Sequence, residues 1–146
     1  MNSAIKLFDT HTHFDVPDFD HDRVQLAHQA KAAGVEGLVL IGFLHSRFTD
    51  LIETQHFLNQ LENAPKSYLA PGLHPFFIDQ HETHFLHDLE QILRTEDCVA
   101  VGEIGLDTRI ELSLETQEKC YIEQLELAHS LNLPIILHCV NSWDRC

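Results

Sequence analysis

The sequence predicts an α/β fold built on a parallel sheet of about five strands with flanking helices. Short apolar segments alternate with segments of helical periodicity, an order typical of βα units. The second apolar run, Glu36 to Gly42, is almost continuously hydrophobic, as expected of a strand covered on both faces. The length of 146 residues and the hydrophobic fraction of 44% fit one globular domain, residues 1–146.

The first βα unit is predicted to begin with a strand from Ile5 to His11, followed by a polar loop from His13 to Asp20. A helix follows from Asp20 to Ala33, with Asp18 or Asp20 as its N-cap and Gly34 directly after its end. Small and apolar residues recur at helical spacing on the face that we expect against the sheet: Val24, Ala27, Ala30 and Ala33.

Later units repeat this pattern along the chain. The predicted strands after Glu36 to Gly42 are Ser67 to Leu73, Cys98 to Gly105 and Pro134 to Cys139. The predicted helices run from the N-cap Ser46 to Leu61, from Glu82 to Leu93 and from Leu114 to Leu131. Their inward faces contain Phe48, Leu51, Ile52, Gln55, Leu58 and Leu61; Phe85, Leu89 and Ile92; and Tyr121, Leu125 and Ala128.

The composition excludes some classes of protein. A formal net charge of −14 argues against binding nucleic acid through a basic surface, although an enzyme can grip phosphate through bound metal. No apolar run approaches the ~20 residues of a membrane span, and the N-terminus lacks a signal-peptide pattern. The four cysteines form no C-x-x-C pair, so we expect a reduced, cytoplasmic protein without membrane association.

The end of the first predicted strand carries an H-x-H motif. Alternate residues of a strand point to the same face, so the imidazoles of His11 and His13 project together and can share one metal ion. Neutral imidazole suits Zn, Fe, Ni and Cu, and it tolerates Mn. The alternative is a chance pairing, because the chain contains 12 histidines.

Further chemical groups stand at the carboxyl ends of later strands. His74 ends the third strand, Glu103 the fourth and His138 the fifth. In a parallel α/β barrel these ends form one active-site rim, and scattered structural histidines would not follow this rule. Each residue also has a structural alternative. His74 could be a turn residue fixed by the following Pro75, Glu103 could be a salt-bridged acid at a strand end, and His138 could be a buried histidine with its hydrogen bonds satisfied.

Glu103 is flanked by small glycines, so a ligand can approach its backbone closely. Its carboxylate can bridge two divalent ions, which together can activate a water and stabilise the leaving oxygen of a phosphodiester. Asp9 is a candidate second-shell acceptor that orients a ligating histidine, or else an ordinary strand-end acid. For the row formed by His81, His84 and His87 we expect a solvated helix face, because the sequence places no acidic or cysteine ligand with it.

Four motifs together resemble the TatD family of metal-dependent hydrolases, which belongs to the amidohydrolase-like barrels. They are Phe-Asp-Thr-His-Thr-His-Phe-Asp (8–15), Gly-Leu-His-Pro (72–75), Val-Gly-Glu-Ile-Gly-Leu-Asp (101–107) and Leu-Pro-Ile-Ile-Leu-His (133–138). Their order and spacing match the family over nearly the whole chain. The resemblance implies a TIM-type (β/α) barrel, a site with one or two divalent ions (Zn, Mg, Mn or Ni) and hydrolysis of phosphodiester bonds in DNA or a small phosphoester.

The resemblance also implies roles for individual residues. His11, His13 and Glu103 would hold one metal, and Glu103 would bridge to a second that His138 helps to hold. His74 would line the substrate pocket, so Glu103 and His74 are the predicted catalytic residues. Asp107, in the same motif as Glu103, is assigned a second-shell role together with Asp9.

A full (β/α)₈ barrel takes ~250 residues, whereas this sequence has 146 and five predicted strands. The family's sixth-strand histidine and eighth-strand aspartate therefore have no counterpart in it. We therefore expect an incomplete TIM-type barrel, a half-barrel of about five parallel strands in a truncated TatD-like domain. Its first and fifth strands would be edges with unpaired backbone groups, so we expect either an open, curved half-barrel sheet or self-association through the exposed sheet edges. The alternative functions are a catalytically incompetent half-barrel or interaction module, and an amidohydrolase-like enzyme acting on an amide or ester.

Overall fold

The computed structural model describes residues 5–146 and confirms the predicted α/β class. The five strands in this range are β1 (Leu7–Thr12), β2 (Val35–Ile41), β3 (Lys66–Ala70), β4 (Val101–Asp107) and β5 (Ile135–Val140). The four α-helices in the same range are α1 (Arg23–Ala32), α2 (Phe48–Gln60), α3 (Phe85–Thr95) and α4 (Leu114–Ser130). Short 3₁₀ helices span Pro17–Phe19, His45–Arg47 and Pro75–Gln80.

The strands form an open partial barrel in which every ladder is parallel. One ladder set has the order β1-β2-β3, and the other pairs β4 with β5. A single isolated bridge, between Leu69 and Cys98, joins the two sets within the described residues. Backbone bonds add to this seam, since the amide of Gly102 donates to Pro71 at 3.0 Å and that of Glu103 donates to Gly42 at 2.8 Å. Strands β1 and β5 are therefore edges, as predicted.

The helices cover one face of the sheet, and β2 shows how the strands divide their side chains between the two faces. Leu38 and Leu40 pack in a core cluster with Leu51 and Leu58 of α2. Val39 and Ile41, the intervening residues, pack in a separate cluster with Ala70 and Ala100. Strand alternation places these two sets on opposite faces, so β2 is buried on both, as its apolar sequence predicts.

A third cluster unites α3 and α4 with β4. Its members include the predicted inward residues Leu89, Tyr121 and Ala128, together with Val101, Ile104 and Leu106 of the strand. Within residues 5–146, none of the helices combines the length and apolar character needed to cross a lipid bilayer.

Helix starts differ from the prediction in three places, one of which is α3, which begins at Phe85 rather than Glu82. Helix α1 begins at Arg23 rather than Asp20, because the 3₁₀ helix Pro17–Phe19 uses part of the intervening chain, and its N-cap Asp22 makes no capping side-chain bond. The predicted inward residue Val24 is 41% exposed. Ser46 lies inside a 3₁₀ helix instead of capping α2. Gly34 does follow the end of α1, with φ +100°.

Strand β1 exposes large apolar side chains. Leu7 and Phe8 are each about half exposed, at 50% and 52%. Phe8 also lies against the backbone of Gly37 and stacks on Tyr68 of β3, with ring centroids 5.8 Å apart. An exposed apolar edge strand of this kind is a typical site of pairing with another chain. Self-association itself stays a prediction.

Candidate functional site

The first group of site residues joins the end of β1 to β4. Glu103 Oε2 lies 3.3 Å from His11 Nε2 and 3.9 Å from His13 Nε2. All three ligand atoms lie within 4.8 Å of one another. Zinc–nitrogen and zinc–oxygen bonds of about 2.0–2.2 Å fit a space of this size. The structure thus brings together the three residues that the sequence assigns to one metal.

His13 is fixed in the tautomer that a metal ligand needs. Its Nδ1 lies 3.1 Å from the carbonyl oxygen of Ile41, at the end of β2. A carbonyl can only accept a hydrogen bond, so Nδ1 carries the proton, and the Nε2 lone pair of the neutral ring faces Glu103. A lone pair facing a carboxylate oxygen is repulsive unless a proton or a cation lies between them. The donor set therefore fits a divalent ion.

A second group shares the carboxylate of Glu103. His74, Glu103 and His138 each offer a ligand atom, and these atoms also lie within 4.8 Å of one another. Glu103 Oε1 contacts His138 Nδ1 at 2.9 Å, whereas Oε2 faces the first group. Glu103 therefore presents one oxygen to each group, the arrangement that a bridging carboxylate requires.

Asp107 holds the other nitrogen of His138. Its Oδ2 lies 2.9 Å from His138 Nε2, and its two oxygens also accept bonds from the Arg109 guanidinium at 2.7 and 2.9 Å. The Arg109 side chain, more than the His138 bond, holds the pKa of Asp107 well below its usual range, against the effect of burial. An ionised Asp107 accepts from Nε2–H, which leaves Nδ1 to face Glu103. This contact is the one expected of a second-shell carboxylate.

His74 lies four residues after the end of β3, later than predicted, and is the N-cap of the 3₁₀ helix Pro75–Gln80. Its Nδ1 accepts a hydrogen bond from the backbone N–H of Phe76 at 3.1 Å, and its ring centroid lies 4.1 Å from that of His138. Burial, followed by the charge of His138, lowers the pKa of His74 to about 4. The neutral ring thus carries its proton on Nε2, so this nitrogen is a donor. The arrangement favours a pocket-lining role over metal ligation.

Asp9 makes a different contact from the one expected. Its carboxylate accepts from the backbone N–H of His11 at 3.1 Å and contacts no imidazole among the described residues. It thereby fixes the backbone at the start of the H-x-H motif. Its orientation of a ligating ring stays a prediction.

Two glutamines on α4 support the site and were not singled out in the sequence. The side chain of Gln124 accepts a hydrogen bond from the backbone N–H of Leu73, with N and Oε1 2.8 Å apart. It also donates from Nε2 to the Leu73 carbonyl oxygen at 3.2 Å. Gln117 makes the same pair of bonds with the backbone of Asp107, at 2.8 and 3.1 Å. Both side chains are fully buried. The two glutamines are seven residues apart and share the inward face of α4 with Tyr121 and Ala128. This position on an apolar face is the sequence signal that could have identified them as buried.

Glycines allow the strands to approach closely at the site. A Cβ on Gly105 would lie 1.9 Å from the carbonyl oxygen of His138, and φ at Gly105 is +147°. A Cβ on Gly72 would lie 2.6–2.8 Å from the backbone of Gly102. The glycines beside Glu103 therefore serve strand packing rather than the ligand access predicted from the sequence.

An aromatic cleft of about 300 Å³ opens beside the shared carboxylate. His13, His74 and Glu103 form its polar side. Its other lining residues are Val16, Phe43, Phe76 and Phe77. Phe76 is 59% exposed, so an aromatic face is available next to the site.

The histidine row of the third helical segment does not form a uniformly solvated face. His87 is exposed, but His84 lies beside Asp88 and beside His45 from the loop after β2. The expectation that no acidic ligand accompanies the row was wrong, because Asp88, four residues after His84, places its Oδ2 3.3 Å from His84 Nε2.

Parallel strands whose carboxyl ends carry several imidazoles and a shared carboxylate are typical of metal-dependent hydrolases of the β/α-barrel class. A model of the family described as TatD related DNase matches residues 8–146. The chain belongs to this family, which confirms the resemblance carried by the four motifs.

Two curated relatives illustrate the match. The uncharacterized metal-dependent hydrolase YjjV of Escherichia coli K12 is 36% identical over an alignment of 146 positions, and the match covers 96% of this chain and 53% of that protein. The 3'-5' ssDNA/RNA exonuclease TatD of Pantoea vagans is 33% identical over 141 residues, covering 95% of this chain and 52% of that protein. The chain thus spans about half the length of the curated relatives that it matches.

Solved structures agree with the partial barrel. The crystal structure of the Escherichia coli TatD homologue YjjV has a TM-score of 0.77 at 32% identity and covers 94% of this chain and 52% of that one. A TatD family hydrolase from Entamoeba histolytica has a TM-score of 0.81 at 24% identity, covers 99% of this chain and 54% of that one, and shows the fold alone.

Proposed function

We propose that this chain provides the metal-binding strand ends of a hydrolase that cleaves phosphodiester bonds in nucleic acid. The observation that carries the proposal is the shared carboxylate of Glu103, with one oxygen directed to His11 and His13 and the other to His138. The names of the relatives, a metal-dependent hydrolase and an ssDNA/RNA exonuclease, support the same reaction class.

His11, His13, Glu103 and His138 would hold one or two divalent ions. Such ions supply Lewis-acid activation of water and neutralise the charge that develops on phosphoryl oxygens. The chain's own residues position the reaction. Glu103 keeps the two groups in register through its two oxygens, and Asp107 orients His138. The Nε2–H of His74 would donate a hydrogen bond to a substrate phosphate oxygen.

The aromatic cleft supports a single-stranded substrate. Base stacking on aromatic side chains is worth about 1–3 kcal/mol per base and tolerates any sequence. Phe76, the most exposed ring of the cleft, would offer such a face beside the scissile phosphate. Stacking on this wall also suits a chain of net charge −14, because overall charge then contributes no attraction for the phosphate backbone.

The metal is proposed to be a borderline transition ion. The donor set is rich in imidazole, which suits Zn, Ni and Mn better than Mg, an ion that prefers oxygen ligands and retains waters. We propose Zn first among the candidates. The cytoplasmic location stays a prediction from the cysteine pattern.

The test is the metal content of purified protein after dialysis against Zn²⁺, followed by hydrolysis of a fluorescent single-stranded oligonucleotide. Glu103→Gln keeps the size of the side chain but weakens both groups, so we expect bound zinc to fall by at least one equivalent and hydrolysis to be lost. The matched control is Glu115→Gln, an exposed glutamate on α4. Unchanged zinc in Glu103→Gln would contradict the metal assignment. Zinc without hydrolysis in the parent chain would favour the catalytically incompetent half-barrel.

A further inference from the structure

A second cluster of histidine and carboxylate lies apart from the residues of the strand-end site. His45 belongs to the 3₁₀ helix that follows β2, His84 precedes the first residue of α3, and Asp88 lies in the first turn of that helix. His84 and Asp88 are four residues apart, so they lie on the same face of the helical turn. His45 reaches them from a segment 39 positions away in the sequence.

The three side chains converge on one point. Asp88 Oδ2 lies 2.9 Å from His45 Nε2 and 3.3 Å from His84 Nε2. Their ligand atoms all lie within 4.8 Å of one another, and the two imidazole planes cross at 77°. The side chain of His45 is 9% exposed, that of Asp88 35% and that of His84 59%. The cluster is therefore anchored on its inner side and open to solvent on its outer side.

Unpartnered nitrogens accompany the cluster. Nδ1 of His45 is buried without a hydrogen-bond partner, and so are both ring nitrogens of His81. Burial, and then the charge of the neighbouring His45, lowers the pKa of His81 to about 4. The ring of His81 is thus neutral at neutral pH and keeps a lone pair next to the cluster. A site that combines several imidazoles with one carboxylate is rich in donors for a borderline metal ion.

We propose that His45, His84 and Asp88 form a second metal site that takes a zinc-class divalent ion. Two imidazoles and one carboxylate match a donor set that zinc uses when a further position is left for water. The open outer side provides that position, and it predicts an ion that exchanges with solvent. The bound ion would link the loop after β2 to the start of α3. In the sequence, these two segments flank the segment that contains Phe76 and Phe77 of the aromatic cleft.

The alternative is an ion pair without metal, in which both imidazoles donate to Asp88 at the N-terminus of α3. A negative charge in the first turn of a helix is favourable in itself. The two arrangements differ in a measurable way. A metal site binds Zn²⁺ in a defined ratio, whereas an ion pair responds only to pH.

The experiment measures zinc binding in a background that lacks the strand-end site. In His11→Ala/Glu103→Ala, we expect calorimetric titration with Zn²⁺ to show about one remaining equivalent. Adding His84→Ala should remove that equivalent or weaken its binding by at least tenfold. The control His87→Ala, an exposed histidine two residues into α3, should leave it unchanged.

Zinc that persists after His84→Ala, or no zinc in the background variant, would overturn the proposal. His84 is chosen because its ring is largely exposed, so its removal leaves the core intact, and circular dichroism verifies that the variant is folded. A buried-side variant, His45→Ala, serves as the second measurement and should lose the same equivalent. The readout does not involve hydrolysis, so it stands whether or not the proposed function holds.

Discussion

Two imidazoles of the strand-end site are fixed through the nitrogens that face away from Glu103. His13 uses Nδ1 to donate to the carbonyl of Ile41, and His138 uses Nε2 to donate to Asp107. The ring orientation and tautomer are thus set by neighbours before any ligand arrives. Such outer contacts raise ligand basicity and reduce the ordering that binding requires.

We predict that Asp107→Asn lowers the zinc affinity of the strand-end site by about 10- to 100-fold, the range found for second-shell changes. The amide cannot hold His138 Nε2–H and the Arg109 guanidinium as an ionised carboxylate does. Affinity is measured by competition with a chelating dye. Asp18→Asn, an exposed change in the first 3₁₀ helix, is the control. Equal affinities in both variants would contradict the assignment of Asp107 as the residue that orients His138.

His81 should make stability depend on pH in a defined window. Its pKa falls from 6.5 to about 4 on folding, chiefly through burial, so between these values the unfolded chain binds a proton that the folded chain does not. The free energy of unfolding should therefore decrease as pH falls from about 6.5 to about 4. The decrease is at most about 3 kcal/mol. In His81→Gln this part of the pH dependence should be absent.

The measurement for His81 is urea unfolding at several pH values in buffer containing a chelator. His28→Gln, an exposed histidine on α1, should retain the slope of the parent chain. A His81→Gln profile parallel to that of the parent chain between pH 6.5 and 4 would show that His81 does not control this window.

At the scale of elements, side chains of α4 form hydrogen bonds with the backbone at or just beyond the ends of β3 and β4, next to the site. Gln124 and Gln117 replace a neighbouring strand by bonding both the N–H and the carbonyl of Leu73 and Asp107, respectively. Backbone groups at strand ends are otherwise left to solvent, and here they are buried. The helix therefore controls the position of the two loops that follow β3 and β4.

We predict that Gln124→Leu destabilises the protein by about 2–4 kcal/mol, because a buried N–H and a buried carbonyl lose their partners. Chemical denaturation measures the change in the free energy of unfolding. Gln91→Leu, on the exposed face of α3, should change stability by less than about 0.5 kcal/mol. A similar small effect of Gln124→Leu would mean that water replaces the amide at no cost.

The elements also show what the sequence could and could not predict. The approximate strand positions followed from periodicity and βα order, because both are local patterns. The exact strand ends did not, since β4 and β5 run past Glu103 and His138 to Asp107 and Val140. The N-caps of α1 and α2 were wrong, since short 3₁₀ helices precede both helices. The pairing of His45 with Asp88 and the clamps made by Gln117 and Gln124 depend on contacts between distant segments, which a single sequence does not reveal.

For the molecule as a whole, the open sheet leaves an apolar edge strand. Half of the surface of Leu7 and of Phe8 is exposed on β1. We predict that the chain self-associates, and that Leu7→Lys shifts it toward the monomer because a charge on an edge opposes pairing. Light scattering across a concentration series measures the mass. Val24→Lys, an exposed apolar position on α1, is the control, and a parent chain that stays monomeric would contradict the prediction.

The seam between the two strand sets has a mechanical meaning. His11 and His13 lie on the three-stranded side, whereas Glu103 and His138 lie on the two-stranded side. Within residues 5–146, one isolated strand bridge and a few backbone hydrogen bonds join the sides. An ion held by residues of both sides would act as a rivet across this joint. Such an ion would also hold the two strand sets together. Its loss would loosen the barrel wall along this seam and not throughout.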